Sequence, residues 1–226
     1  MRRKIVFAFL AFALVPFMAL PAARAQSDQQ QVVDEALGVV HSFHHPGRYL
    51  DNVRALVRRA RAIVIVPNLV KAGFIFGAQG GTGVLLVHGR HGWSYPAFYN
   101  MGAASFGLQA GVSVSKVVLI IMNDRALNLA LTHAQLKLGA EAGLTVATLG
   151  AGAGGSVTSA GADIYTLSSS KGLYGGVALQ GGAIGPNPGW NHAYYHRRVS
   201  TEAIVYGHAR LHQPGARRLR RALGRL

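Results

Sequence analysis

The 226-residue sequence contains no cysteine. That excludes disulfides, a cysteine-completed zinc site and a lipid-modified N-terminal cysteine. Acids are scarce too, with 8 Asp and Glu against 23 Lys and Arg, for a net charge of +15. Asp28, Asp34, Glu35, Asp51, Asp124, Glu141, Asp163 and Glu202 are the whole set, and none falls in a carboxylate-pair or base motif. The stretch around Ser105 lacks a Gly-x-Ser-x-Gly elbow, because Ala103 stands where the first glycine is needed. No catalytic residue is assigned, and the chain reads as non-enzymatic and without a cofactor.

Long apolar runs are equally rare. The uncharged run Ile5 to Ala23 follows Arg2, Arg3 and Lys4 and precedes the small-x-small triplet Ala23-Arg24-Ala25. This is the pattern of an export signal, so residues 1–25 are expected to be cleaved and the protein to be exported. Cleavage removes Arg2, Arg3, Lys4 and Arg24, leaving 19 Lys and Arg against 8 acids, a net charge of +11. The remaining chain is long enough to bury one core. Its composition, half hydrophobic with 29 glycines, suits packed strands and tight turns.

Ser27 and Gln30 form a capping-box pattern, and Val33, Leu37, Val40 and His44 lie on one helical stripe that Pro46-Gly47 ends. Leu50, Val53, Val57 and Ala60 predict a second helix to about Arg61, with Arg54, Arg58 and Arg59 on its other face. Short strand-like runs follow: 62–66 (stopped by Pro67-Asn68), 73–77, 83–88 (set off by Gly80-Gly81), 93–100, 106–112 and 117–122. Asn123-Asp124 caps a short helix, and further strands are expected near 135–138, 144–149, 162–168 and 173–179. The runs Ile63–Val66 and Val117–Met122 do not alternate, so both their faces should be buried. The expected fold is α+β: N-terminal helices packed on a strongly curved, mainly antiparallel sheet, barrel- or sandwich-like.

The last segment, 208–226, reads as a basic amphipathic tail. Leu219, Leu223 and Leu226 share a helical face, ringed by Arg217, Arg218, Arg220, Arg221 and Arg225. Such a helix suits an anionic membrane surface, and a solvated terminal tail is the plainer reading.

Two other patterns resemble ligand sites. Gly150-x-Gly152-x-x-Gly155 spells a dinucleotide fingerprint, but the residues after it read as strand where that site needs a helix. The pairs His41/His45, His88/His91, His192/His196 and His208/His212 have ligand spacing without an intervening Glu, and no metal site is assigned. Nucleic acid is not expected as a partner, because the cations are not interleaved with a stacking platform.

An ordered string of local motifs runs through residues 30–207. It begins with Ala60-Arg61-Ala62-Ile63-Val64-Ile65-Val66-Pro67, Lys71-Ala72-Gly73-Phe74 and Gly81-Thr82-Gly83-Val84-Leu85. Gly92-Trp93-Ser94-Tyr95-Pro96-Ala97-Phe98, Ser105-Phe106-Gly107-Leu108-Gln109-Ala110-Gly111 and Met122-Asn123-Asp124-Arg125 follow. Lys137-Leu138-Gly139-Ala140-Glu141, Lys171-Gly172-Leu173-Tyr174-Gly175-Gly176-Val177 and Asn191-His192-Ala193-Tyr194-Tyr195 complete it. In these motifs the chain resembles the SYLF-domain family of lipid-binding modules. It departs from the family's habit at Gln180 and in the Gly150–Gly155 run. The resemblance implies lipid binding, with phosphoinositides as ligands of eukaryotic members and actin contact in fungal ones. For an exported chain the expectation is phospholipid or an anionic membrane surface, in the periplasm or peripherally on the envelope membrane, with protein partners unknown. A domain over 26–207 would carry it. The expected lipid contacts are Lys71, Trp93, Tyr95, Lys116, Lys137, Lys171, Arg217, Arg218, Arg220 and Arg221. A small outer-membrane barrel and a structural or partner-binding envelope protein are the competing readings.

Overall fold

The computed structural model describes residues 27–73, 76–106, 111–138, 146–149, 161–170, 182–207, 209 and 211–226. The expected signal, the Gly150–Gly155 run, Lys171, His208 and the expected strand 173–179 lie outside the described residues. Two helices open the fold, α1 (Asp28–Ser42) and α2 (Arg48–Arg59). Ser27 caps the first, its Oγ accepting from the Gln30 amide at 3.3 Å. Gln30 does not complete a capping box. Its amide nitrogen reaches Asp34 and Gly215, and its oxygen accepts from the Tyr194 hydroxyl.

The strands are β1 (Ala62–Gly73), β2 (Phe76–Gly89), β3 (Gly92–Trp93), β4 (Ala97–Phe106), β5 (Gly111–Ile121), β6 (Leu136–Lys137), β7 (Val146–Leu149), β8 (Ile164–Ser170) and β9 (Ala183–Pro186). Among the described residues they form one strongly curled sheet in the order β6-β9-β4-β2-β1-β5-β8-β7, with β3 paired to β2. All neighbours are antiparallel except β7 and β8. The later helices are α3 (Asp124–Thr132), α4 (Pro188–Tyr195), α5 (Thr201–Val205) and α6 (Arg217–Leu223), the last entered through a single 3-10 turn at Pro214–Ala216. The expected α+β class, with N-terminal helices on a curved sheet, is what the structure has.

The non-alternating runs are buried on both faces, as expected. Ile63, Val64, Ile65, Leu119, Ile120 and Ile121 are all fully enclosed. Both sides of these stretches of β1 and β5 thus face protein, which does not suit a barrel whose strands turn one face to lipid along their length, while the far halves of both strands are largely exposed.

Three expectations are corrected. Pro67-Asn68 does not stop the first strand, which bulges between Val66 and Leu69 and continues to Gly73. Gly80-Gly81 is not a turn but lies inside the 14-residue β2. The run 73–77 holds the end of β1 and the start of β2. The glycines have a different task. A Cβ at Gly81 would lie 2.4 Å from the Asn68 carbonyl oxygen, and one at Gly83 would lie 2.3 Å from that of Ile65. The bulged β1 presses onto β2 at a separation only glycine permits. Helices α4 and α5 were not expected from sequence.

Candidate functional site: an arginine-lined cleft

The cleft is built where several chain ends meet. Helix α2 finishes with Arg58 and Arg59, and Ala60-Arg61 leads into β1. A two-residue turn, Arg90-His91, joins β2 to β3 and relies on Gly92 at φ 91°. Tyr206 and Gly207 after α5 and Arg220 of α6 close the other side. Together they line a cleft of about 840 Å³ that includes Arg58, Arg59, Arg61, Arg90, Arg220, His88 and His91, with no Asp or Glu among its described lining residues.

Its walls are fixed by short-range chemistry. His88 and Trp93 are cross-strand partners, and their rings stack at 4.6 Å with 5° between planes. Ser94 Oγ accepts from the Val87 amide at 2.9 Å and donates to the Tyr95 carbonyl at 2.9 Å. Arg220 Nε donates to the Trp93 carbonyl at 2.7 Å, and its guanidinium lies over the Tyr95 ring. Arg58 donates to the Leu226 carbonyl at 2.7 Å. Arg61 is engaged by Asp124 at 2.7 Å. Arg59 and Arg90 are exposed at the rim.

Helix α6 extends this charge. Leu219, Ala222, Leu223 and Leu226 are buried in the core, and Arg217, Arg218, Arg221 and Arg225 are exposed. The expected amphipathic face is therefore real, but its apolar side packs inside the protein and is not available to enter a bilayer. Two shallower grooves flank the helix. One of about 340 Å³ includes His91, Trp93, Arg217, Arg220 and Arg221. The other, about 680 Å³, includes His41, His44, Arg218, Arg221 and Arg225. Among the described residues no acid lines either, and because the cleft and the first groove share Arg220 and the two grooves share Arg221, a cationic band follows from the α2 terminus across α6 to α1.

Of the residues expected to touch lipid, Trp93, Tyr95 and Arg220 converge in the cleft, while Arg217, Arg218 and Arg221 lie on its α6 flank. Trp93 is only 3 % exposed, so it builds the wall and does not present its ring to a headgroup. The lysines are elsewhere. Lys71 is exposed near the far end of β1. Lys116 stands at an apolar cavity of about 360 Å³ beside the α1–α2 corner, and Lys137 is exposed on the short strand β6. Arg58, Arg59, Arg90, His88 and His91 were not singled out as binding residues. The signals were present: two arginines ending a helix, and Arg-His framed by glycines in a hairpin turn. Among the described residues no three of His, Asp and Glu are grouped to hold a metal ion, and no helix is long and apolar enough to cross a membrane.

The family described as "Ysc84: Las17-binding protein actin regulator" matches residues 102–226. The chain belongs to the Ysc84 family. This is the SYLF-domain family to which the sequence motifs pointed. The match runs from β4 through α6, so the arginine-bearing helix is part of the Ysc84 module. Similar proteins include the SH3 domain-containing YSC84-like protein 1 of Bos taurus, 29% identical over 154 residues, which cover 67% of this chain and 45% of that protein. Protein YSC84 of Saccharomyces cerevisiae is 28% identical over 185 residues (78% of this chain, 39% of that protein). LAS seventeen-binding protein 3 of Saccharomyces cerevisiae is 29% identical over 159 residues (69% and 34%). The chain thus spans less than half the length of these Ysc84 relatives.

Proposed function

We propose that this chain is a non-enzymatic lipid-binding protein of the bacterial cell envelope, exported by its first 25 residues and holding anionic lipid on the cationic band. The observation that carries the reading is the acid-free lining of the cleft and of both α6 grooves. Each Lys or Arg near an anionic leaflet contributes about 1 kcal/mol, so the exposed arginines together reach the several kcal/mol of roughly micromolar binding. The half-buried Tyr95, with Arg220 over its ring, offers an aromatic edge at the same level.

The test is vesicle flotation. The protein should float with phosphatidylglycerol vesicles and not with phosphatidylcholine vesicles, and added salt should release it. Replacing Arg58, Arg59 and Arg90 by Gln should weaken flotation. No difference between the two vesicle types, with no lipid found by mass spectrometry of the purified protein, overturns the proposal.

A second reading has support in the names of the relatives, one of which is a LAS seventeen-binding protein. The same arginines would then hold an acidic protein partner. Binding to vesicles that is insensitive to the arginine substitutions, with an acidic partner recovered by the wild type alone, would favour it.

A further inference from the structure

At the end of the sheet away from the cleft, four strands turn outward a face that no other described residue covers. Cross-strand partners lie on the same side of a sheet, as do residues two apart along a strand. Val112 pairs with Ala72, and Ala72 with Ala78. In the next row Val114 pairs with Val70, Val70 with Gly80, and Gly80 with Gly102. All seven residues are exposed. Val112 is 75 % exposed, Val114 44 % and Val70 43 %. Among the described residues only four large hydrophobic side chains are exposed, and three of them meet here. Among the described residues nothing packs over the glycines: a Cβ at Gly80 or Gly102 would meet only strand backbone, at 3.8 Å.

The charge at this face has one sign. Lys116 follows Val114 by two residues on the same side and is exposed, and Lys71 projects from the other side of β1 at the same end. Among the described residues the face itself carries no acid. Glu35, at the bulge, is tied to Asn68 at 2.7 Å and to Gln31 at 2.9 Å. A second copy of the chain would bring its lysines together with its valines and set like charge against like, on a protein whose net charge is +15, or +11 without the first 25 residues. An apolar patch with Lys116 on its own side and Lys71 at the same strand end instead complements an anionic bilayer, with valines reaching the acyl region and lysines at the phosphates.

We infer that this valine face, made by the ends of β1, β2, β4 and β5, is a second and apolar contact with anionic phospholipid bilayers. The inference rests on the reading that the chain binds lipid, but its residues are separate from the arginine cleft. The 12-residue β1 begins beside Arg61 and ends here, roughly 35 Å away for an extended strand.

The chain has no cysteine, so single labels can be placed cleanly on the full chain. An environment-sensitive fluorophore on Val112→Cys should shift to the blue and become protected from iodide when phosphatidylglycerol vesicles are added. The double variant Val112→Asp with Val114→Asp should lose roughly tenfold or more in vesicle affinity, and the loss should persist at high salt. Its thermal unfolding should match wild type, since both positions are exposed. If a label on Arg90→Cys responds to vesicles while the Val112→Cys label does not, the valine face is not a lipid contact and the arginine reading stands. If neither label responds and the protein does not float, both readings fall. If the double variant instead halves the mass measured by light scattering without lipid, the face is a self-association surface and the inference is overturned.

Discussion

Arg220 holds Tyr95 beneath its guanidinium, 4.4 Å from the ring centroid, while its Nε is bonded to the Trp93 carbonyl. One arginine thereby ties α6 to the strand-end segment that walls the cleft. Cation–π pairing and a charge-assisted hydrogen bond each contribute about 1 kcal/mol or more at a partly buried position. Arg220→Ala should lower unfolding free energy by roughly 2 kcal/mol in urea titrations. Arg220→Lys should recover only part, because a lysine keeps the charge without the planar fork.

The glycine at the bulge and one in a helix should behave oppositely. A methyl at Gly83 meets the Ile65 carbonyl at 2.3 Å, and that carbonyl belongs to a paired strand. Gly83→Ala should cost about 3 kcal/mol, the upper range for overpacking. Gly38 lies exposed in α1 with open space at its Cβ position. Gly38→Ala should stabilise by about 0.8 kcal/mol through helix propensity. Chemical denaturation of both variants checks the pair, and equal effects would contradict this account of β1 and β2.

The glycines of β2 also mark how far the sequence could be read. Ile63–Val66 and Val117–Met122 announced the doubly covered strands because an unbroken apolar run leaves no face for water. Gly80-Gly81 looked like a turn because Gly81, needed for close approach to β1, has the same letter as a glycine needed for a bend. Helix α4 had a readable start, Asn187-Pro188, whose Asn side chain accepts from the Trp190 amide, but its 8 residues are too short for periodicity to speak. The cleft was illegible for another reason. It joins residues near 58–61, 88–95, 206 and 220, and no local pattern records which distant turns meet.

Three buried tyrosines set an alkaline limit. Burial is the main cause that pushes the phenols of Tyr99, Tyr194 and Tyr195 above their ordinary value of 10.0. Their hydroxyls donate to the Ala130 carbonyl, the Gln30 side chain and the Pro96 carbonyl. The folded state keeps these protons where the unfolded chain releases them, so their contribution is complete below the unfolded pKa of about 10 and falls as pH rises beyond it. Stability should decline from about pH 10 upward. In a spectrophotometric titration these phenols should ionise only together with unfolding. Ionisation of all 8 tyrosines before any loss of structure would refute this.

Helix α6 separates packing from charge. Leu219 is fully buried, and Leu219→Ala should cost roughly 3 kcal/mol. Exchanging the exposed Arg217, Arg218, Arg221 and Arg225 for Gln should leave the melting temperature nearly unchanged, since exposed charges contribute little to stability. The same exchange should weaken adhesion to phosphatidylglycerol vesicles, most strongly at low ionic strength. Full adhesion at low salt would show that these arginines are idle.

The seating of Leu219 and Leu223 has one more consequence. A basic peptide that coils up only on contact must spend part of its attraction on ordering its own backbone. Here that ordering is complete before any encounter, so far-ultraviolet dichroism should stay flat through a binding titration, and the guanidinium spacing is dictated by the fold and not by whatever it meets.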